Sequence, residues 1–190
     1  MPISSDIEIV VEHTLQNEDN LRLAARVSAA FEQVRQRVVR EFVKRLQSDL
    51  LARLGDSWEV EQNCDEDALG AGCLVEIKKK RWDDNCSICL EGWEEGPSDV
   101  DCYLWLNSEM PGRARLGAEL KAALDERHGA GRKSPDAVWY FYLGPPYDDW
   151  TTEKALVLLY RKAEAVKEIG DQLEGICRTV EPIADRRVRQ

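Results

Sequence analysis

Long apolar runs are missing from this sequence. No stretch approaches the roughly 18 residues needed to cross a bilayer. The N-terminus, MPISSDIEIVVEH, has neither a basic leader nor a long apolar segment. Neither a membrane span nor a signal peptide is therefore expected, and the expected compartment is the cytosol. Histidine is scarce, with only two, His13 and His128. His128 stands beside Gly129, where a histidine closing a helix is usually a dipole partner. Nothing suggests a Ser-His-Asp or Cys-His arrangement. The Gly-Ala-Gly triplets at 70–72 and 129–131 lack the motif of a phosphate-cradling loop. A second C-x-x-C is also lacking. Cys86-Ser-Ile-Cys89 has the spacing of half a zinc knuckle, and only Cys64, Cys73 or Cys102 could complete it. Small buried thiols, reduced in a cytosolic chain, are the competing expectation.

What is present is enough for a folded core. The 190 residues are 43% hydrophobic and 33% charged, which excludes wholesale disorder and fits a single domain over 1–190, with 1–19 and 182–190 peripheral. The net charge of −10 is unevenly spread: residues 56–109 hold 15 acidic against 4 basic side chains, while the flanks are nearly neutral. An acidic segment repels phosphate backbones and steers basic partners inward. A basic protein partner is thus expected, and direct nucleic-acid binding is not. The plainer alternative is that the charge only keeps the chain soluble.

Hydrophobic period divides the chain. Over 20–54, Leu23, Val27, Phe31, Val34, Val38, Phe42, Leu46 and Leu50 recur at three- and four-residue spacing, which predicts a long amphipathic helix, with Asn20 as N-cap and Gly55 as stop. Over 57–108 the period falls to two. Strands are predicted at 57–63, 73–82, 86–93 and 100–108, joined by short turns as an antiparallel meander. A helix at 113–129, a short aromatic strand at 137–143, a rigid GPPYDDW loop, and a helix over 151–181 ended by Pro182 follow. The expected class is α+β: a four- to five-stranded meander packed against long N- and C-terminal helices.

Two candidate sites emerge. Strand alternation puts Glu76 and Lys78 on one face, with Lys80 and Trp82, and Asp65 or Asp67 lies just upstream. Carboxylates that hold Mg²⁺ and a lysine that orients or activates water are what a metal-dependent nuclease needs. The same residues also make an ordinary wet strand face opposite Glu59, Glu61 and Glu91. The second candidate is aromatic. Trp82, Trp93, Tyr103 and Trp105 fall on the meander, and Tyr140, Tyr142, Tyr147 and Trp150 on the last strand and its loop. Trp and Tyr rimmed by Glu94, Glu95, Asp148 and Asp149 suit a protein-binding hot spot. Core packing is the alternative for each ring.

The order of a long helix, WEVEQ, VEIKKKRW, SICLEGWEE, CYLWLNSE and a late YDDW resembles the C-terminal accessory region of bacterial PD-(D/E)XK-nuclease-like proteins, over about residues 20–180. In the catalytic core of that family E-x-K leads into a helix. Here Lys78 leads into a turn at Asp83-Asp84, so the resemblance implies the accessory, non-catalytic part. The leading expectation is a non-catalytic cytosolic binding module that needs no cofactor and shows an acidic, aromatic-rich surface to a basic partner. One version is a phage- or mobile-element-type inhibitor of a nucleic-acid-binding protein. The alternative is a PD-(D/E)XK-type nuclease using Asp67, Glu76 and Lys78 with Mg²⁺. A third is a scaffold that forms homo-oligomers through the long helices.

Overall fold

A computed structural model describes residues 5–62, 72–93, 98–135 and 137–187. Asp67, Glu94, Glu95 and the side chain of Trp93 lie outside the described residues. The chain forms two compact units, residues 1–37 and 38–190.

The larger unit is α+β. Strands β1 (Trp58–Gln62), β2 (Gly72–Lys79), β3 (Cys86–Trp93), β4 (Ser98–Leu106) and β5 (Ala137–Tyr142) form one antiparallel sheet in chain order. Alternation sends Val60, Ile77, Ile88, Leu90, Cys102 and Leu104 to one face, all buried. That face joins one hydrophobic cluster with Phe42, Leu46 and Leu50 of α2 (Glu18–Leu54), Leu116 and Leu120 of α3 (Arg113–His128), Leu159 of α4 (Glu153–Arg161) and Leu173 and Ile176 of α5 (Ala163–Arg187). The α2 helix is tied to the sheet where Gln47 Nε2 donates to the Val60 carbonyl at 2.7 Å. It is tied to α5 through Arg53 and Asp171 at 2.5 Å. Helices cover one side of the sheet and leave the other to carry polar and aromatic side chains.

Several local expectations change. Strand β2 stops at Lys79, because Lys80–Asn85 is a 3-10 turn broken by a kink at which Asp83 takes a non-helical φ 47°, ψ −140°. The turn breaks the two-residue alternation and swings Trp82 into the core instead of leaving it beside Glu76. The C-terminal helix is two helices, broken at Lys162 with φ 61°. Pro182 does not end α5. The helix runs on to Arg187, with Ile183 and Ala184 buried beyond the proline and Asp185 bonded to Arg81 and to Trp82 Nε1.

The smaller unit holds α1 (Ser5–Thr14) and the first half of α2. The N-cap of α2 is Asn17, not Asn20: Asn17 Oδ1 accepts from Asn20 N at 2.8 Å, and Asn20 Nδ2 donates to the His13 carbonyl. The apolar stripe expected to pack has two fates. Phe42, Leu46 and Leu50 are fully buried, whereas Leu23, Val27, Phe31 and Val34 are at least half exposed.

Candidate functional site

The open face of the sheet gathers the chemistry. Register places Glu91 opposite Asp101, Cys89 opposite Tyr103, Ser87 opposite Trp105, Tyr103 opposite Tyr140 and Asp101 opposite Tyr142. A cavity of about 540 Å³ opens there, lined by Glu91, Asp101, Tyr103, Trp105, Tyr140 and Tyr142 among others. Tyr140 and Tyr142 meet edge to face at 5.9 Å. Directly opposed residues of an antiparallel pair hold their Cβ atoms about 5 Å apart, so two carboxylates share the floor. Burial raises the Glu91 carboxyl above the usual carboxylate range.

The segment after α3 forms one wall. Asp125 organises it: its carboxylate accepts from Lys121 Nζ at 2.7 Å, from Gly131 N at 2.9 Å and from Trp139 Nε1 at 3.1 Å. The Lys121 ammonium, then the Gly131 amide, hold the Asp125 carboxyl below its ordinary value. Backbone bonds between Arg132 and Tyr140 extend the sheet. They leave the Arg132 guanidinium 5.2 Å over the Tyr142 ring, a cation–π contact. Gly131 permits this path, since a Cβ there would lie 2.0 Å from Trp139 Nε1. The indole of Trp139 is fully buried and cannot give way. Gly131→Ala is expected to cost about 1–3 kcal/mol of stability as an overpacking change, read as a lower urea midpoint at unchanged slope.

Glu76 and Lys78 also stand on the open face. Glu76 is paired in register with Glu61 and Cys89, and Lys78 with Glu59. Burial pulls the Lys78 ammonium down, but Glu61, Glu76, Asp84 and Glu59 together outweigh it, and the net shift is upward. Lys78 is therefore held in its charged form among these carboxylates. Among the described residues no group of three or more His, Cys, Asp or Glu side chains is placed to hold a metal ion. Cys86 and Cys89, three apart on a strand, point to opposite faces, so C-x-x-C here cannot clamp one ion from one side. Cys86 faces the core, and burial pushes its thiol far above the ordinary value.

The aromatic candidates divide by burial. Trp82 is 0% exposed, packs edge to face on Trp58 at 5.1 Å, and donates from Nε1 to Asp185 at 2.9 Å. Trp150, also fully buried, packs on Phe42 at 5.2 Å and donates to the Tyr147 carbonyl. Tyr147 is buried, and its hydroxyl is pushed up to about 12 by burial and then by Glu168. These three rings are core and offer no face to a partner. Asp149 caps the turn into α4 by accepting from Thr151 N and Oγ1, and the Asp148 carbonyl accepts from Val100 N at 2.8 Å. His128 meets Thr179 Oγ1 at 3.0 Å, and burial holds its imidazole below the ordinary value.

No family model, no curated protein and no solved structure matches this chain. No helix among the described residues is long and apolar enough to cross a membrane.

Proposed function

We propose that the chain is a non-catalytic binding module that receives a basic protein partner on the open face of its sheet. The observation that carries this reading is the opposed pair Glu91 and Asp101 on the floor of a cavity walled by Tyr103, Trp105, Tyr140 and Tyr142. Like charges directly opposite each other on a sheet are destabilising. A guanidinium or ammonium lowered onto Glu91 beside Asp101 relieves such like-charge proximity where both are ionised, and the rings around it add cation–π attraction. Arg132 on Tyr142 is an example, within this chain, of a guanidinium accepted by this aromatic wall. The acidic excess of residues 56–109 supplies a longer-range field that speeds encounter with a basic surface.

The test is titration of an arginine-rich peptide, followed by calorimetry, against the wild type and Glu91→Gln/Asp101→Asn. The expected result is binding that weakens steeply with salt and falls at least tenfold in the double variant. Because the Glu91 carboxyl lies above its usual range, it gains a proton on mild acidification, before ordinary carboxylates do. Binding should then weaken while the rest of the acidic surface is still charged. Wild-type affinity in the double variant, or binding indifferent to salt, would sink the proposal.

A further inference from the structure

The smaller unit points to a second function, independent of the sheet face. Among the described residues, fourteen large apolar side chains are exposed, and ten of these lie between Ile7 and Val34, each 49–69% exposed. Four of them, Val10, Leu23, Val27 and Phe31, line an open groove of about 490 Å³ together with Ala24 and polar neighbours from α1 and α2. From the geometry we infer that this unit pairs with a second copy of the chain, two helical hairpins closing into a four-helix bundle.

Three observations select a second copy as the occupant. The first is spacing. Ala24, Val27, Phe31 and Val34 follow one another at three, four and three residues, the alternation by which one helix seats its side chains between those of another. The stripe ends where the same helix turns Val39, Phe42 and Val43 into the core of the larger unit. The second is area. At roughly 32 Å² per CH₂ group, the ten half-exposed side chains offer on the order of 600 Å² of apolar surface. A standard stable interface takes about 800 Å² from each partner, of which somewhat over half is apolar, so an apolar face of this size is sufficient. The third is charge. The α1 helix contains Asp6, Glu8 and Glu12 and no Lys or Arg, whereas α2 up to residue 37 carries Arg22, Arg26, Arg35 and Arg37, of which Arg22 also pairs with Glu18 and Arg35 with Glu32 of the same helix. The α1 of one copy laid along the α2 of the other sets acids against arginines. Such a hairpin complements itself, as a two-fold interface requires.

The experiment is sedimentation equilibrium of the full chain over a range of concentrations, for the wild type, Val27→Lys/Phe31→Lys and Ala29→Lys. The double substitution puts charge on the stripe. Ala29 lies on the opposite side of the heptad, and lysine is a good helix former, so far-UV circular dichroism should keep its helical signal in both variants. The expected result is twice the monomer mass for the wild type and for Ala29→Lys, and the monomer mass for Val27→Lys/Phe31→Lys. A wild type that is monomeric up to its solubility limit overturns the inference. So does a double variant that keeps the doubled mass, or a monomeric wild type that floats with anionic vesicles, which would assign the face to a lipid surface. The sheet-face proposal is read separately, because peptide binding by Val27→Lys/Phe31→Lys should equal that of the wild type.

Discussion

Replacing Trp82 by alanine should lower the unfolding free energy of the larger unit by about 3–5 kcal/mol, the range for deleting a large aromatic side chain from a packed core. The ring is fully buried, stacked edge to face on Trp58 at 5.1 Å, and its Nε1 donates to Asp185. The substitution therefore removes apolar contacts, an aromatic pair and a hydrogen bond together, and leaves a void between β1 and the start of β3. Trp82→Phe keeps much of the ring and loses the hydrogen bond, so it should cost markedly less. Urea unfolding monitored by circular dichroism would show both as shifts of the midpoint at similar slope. Below the transition, where the variants are folded, their affinity for an arginine-rich peptide should be unchanged. A Trp82→Ala variant as stable as the wild type but deficient in binding would put the indole on the surface and contradict its burial.

Much of the architecture could be read from period alone. Strands β1, β3 and β5 and helix α3 fall within a residue or so of their expected bounds, because alternation and helical spacing record directly which side chains face apolar surroundings. Three failures have distinct physical reasons. Trp82 was expected on the face of Glu76 because alternation was carried past Lys79, but a 3-10 turn resets the direction of every side chain in it. Pro182 was expected to stop α5, yet tertiary bonds at Asp185 and burial of Ile183 and Ala184 hold the last turns in helix. The stripe on α2 reads the same from Leu23 to Leu50, but only its C-terminal half is covered. Amphipathicity says that a face is apolar and not what packs on it.

Tyr103, Trp105, Tyr140 and Tyr142 stood among the aromatic candidates, but of the residues expected to bind a partner Trp82, Tyr147 and Trp150 are core, and neither Asp148 nor Asp149 lines the cavity. An acidic, aromatic sheet surface follows from composition and alternation. Which acids meet depends on register. Glu91 and Asp101 are ten residues apart and face each other only because the β3–β4 ladder shifts by a residue between Glu91 and Trp93, and no local pattern encodes that. The wall beyond α3 was missed for a related reason. Gly131 and Asp125 matter through a single fully buried indole, Trp139, that approaches from another strand.

The same kind of long-range dependence sets the second large effect, at Asp185. Its carboxylate takes Lys79 Nζ, Arg81 and Trp82 Nε1, while Glu181 one turn earlier also bonds Lys79. Lys79 is only 5% exposed, with its ammonium 5.5 Å from the centre of the Trp58 ring. Removing one member of a buried ion pair costs about 3–5 kcal/mol, because the remaining charge is stranded away from water. Asp185→Ala is expected near the lower end, since Glu181 still holds the ammonium. The substitution should also release the last turns of α5, where Pro182 already removes one backbone hydrogen bond. Lys79→Met should cost less than Asp185→Ala, because Asp185 keeps Arg81 and Glu181 keeps Arg178. Non-additivity of the pair in a double-mutant cycle measures the coupling. The cluster has a pH signature as well. Burial pushes the Glu181 carboxyl up, but Lys79 and Arg178 outweigh it and the net shift is downward. A carboxylate with a lowered folded-state value contributes stability that is complete above the ordinary glutamate range and is lost as the pH falls through and below it. The midpoint of the wild type should therefore drop on acidification from pH 5 towards pH 3 more than that of Glu181→Gln. Equal acid sensitivity in the two proteins, or a stability cost for Asp185→Ala no larger than for an exposed aspartate, would mean that the ion cluster does not hold α5 to the sheet.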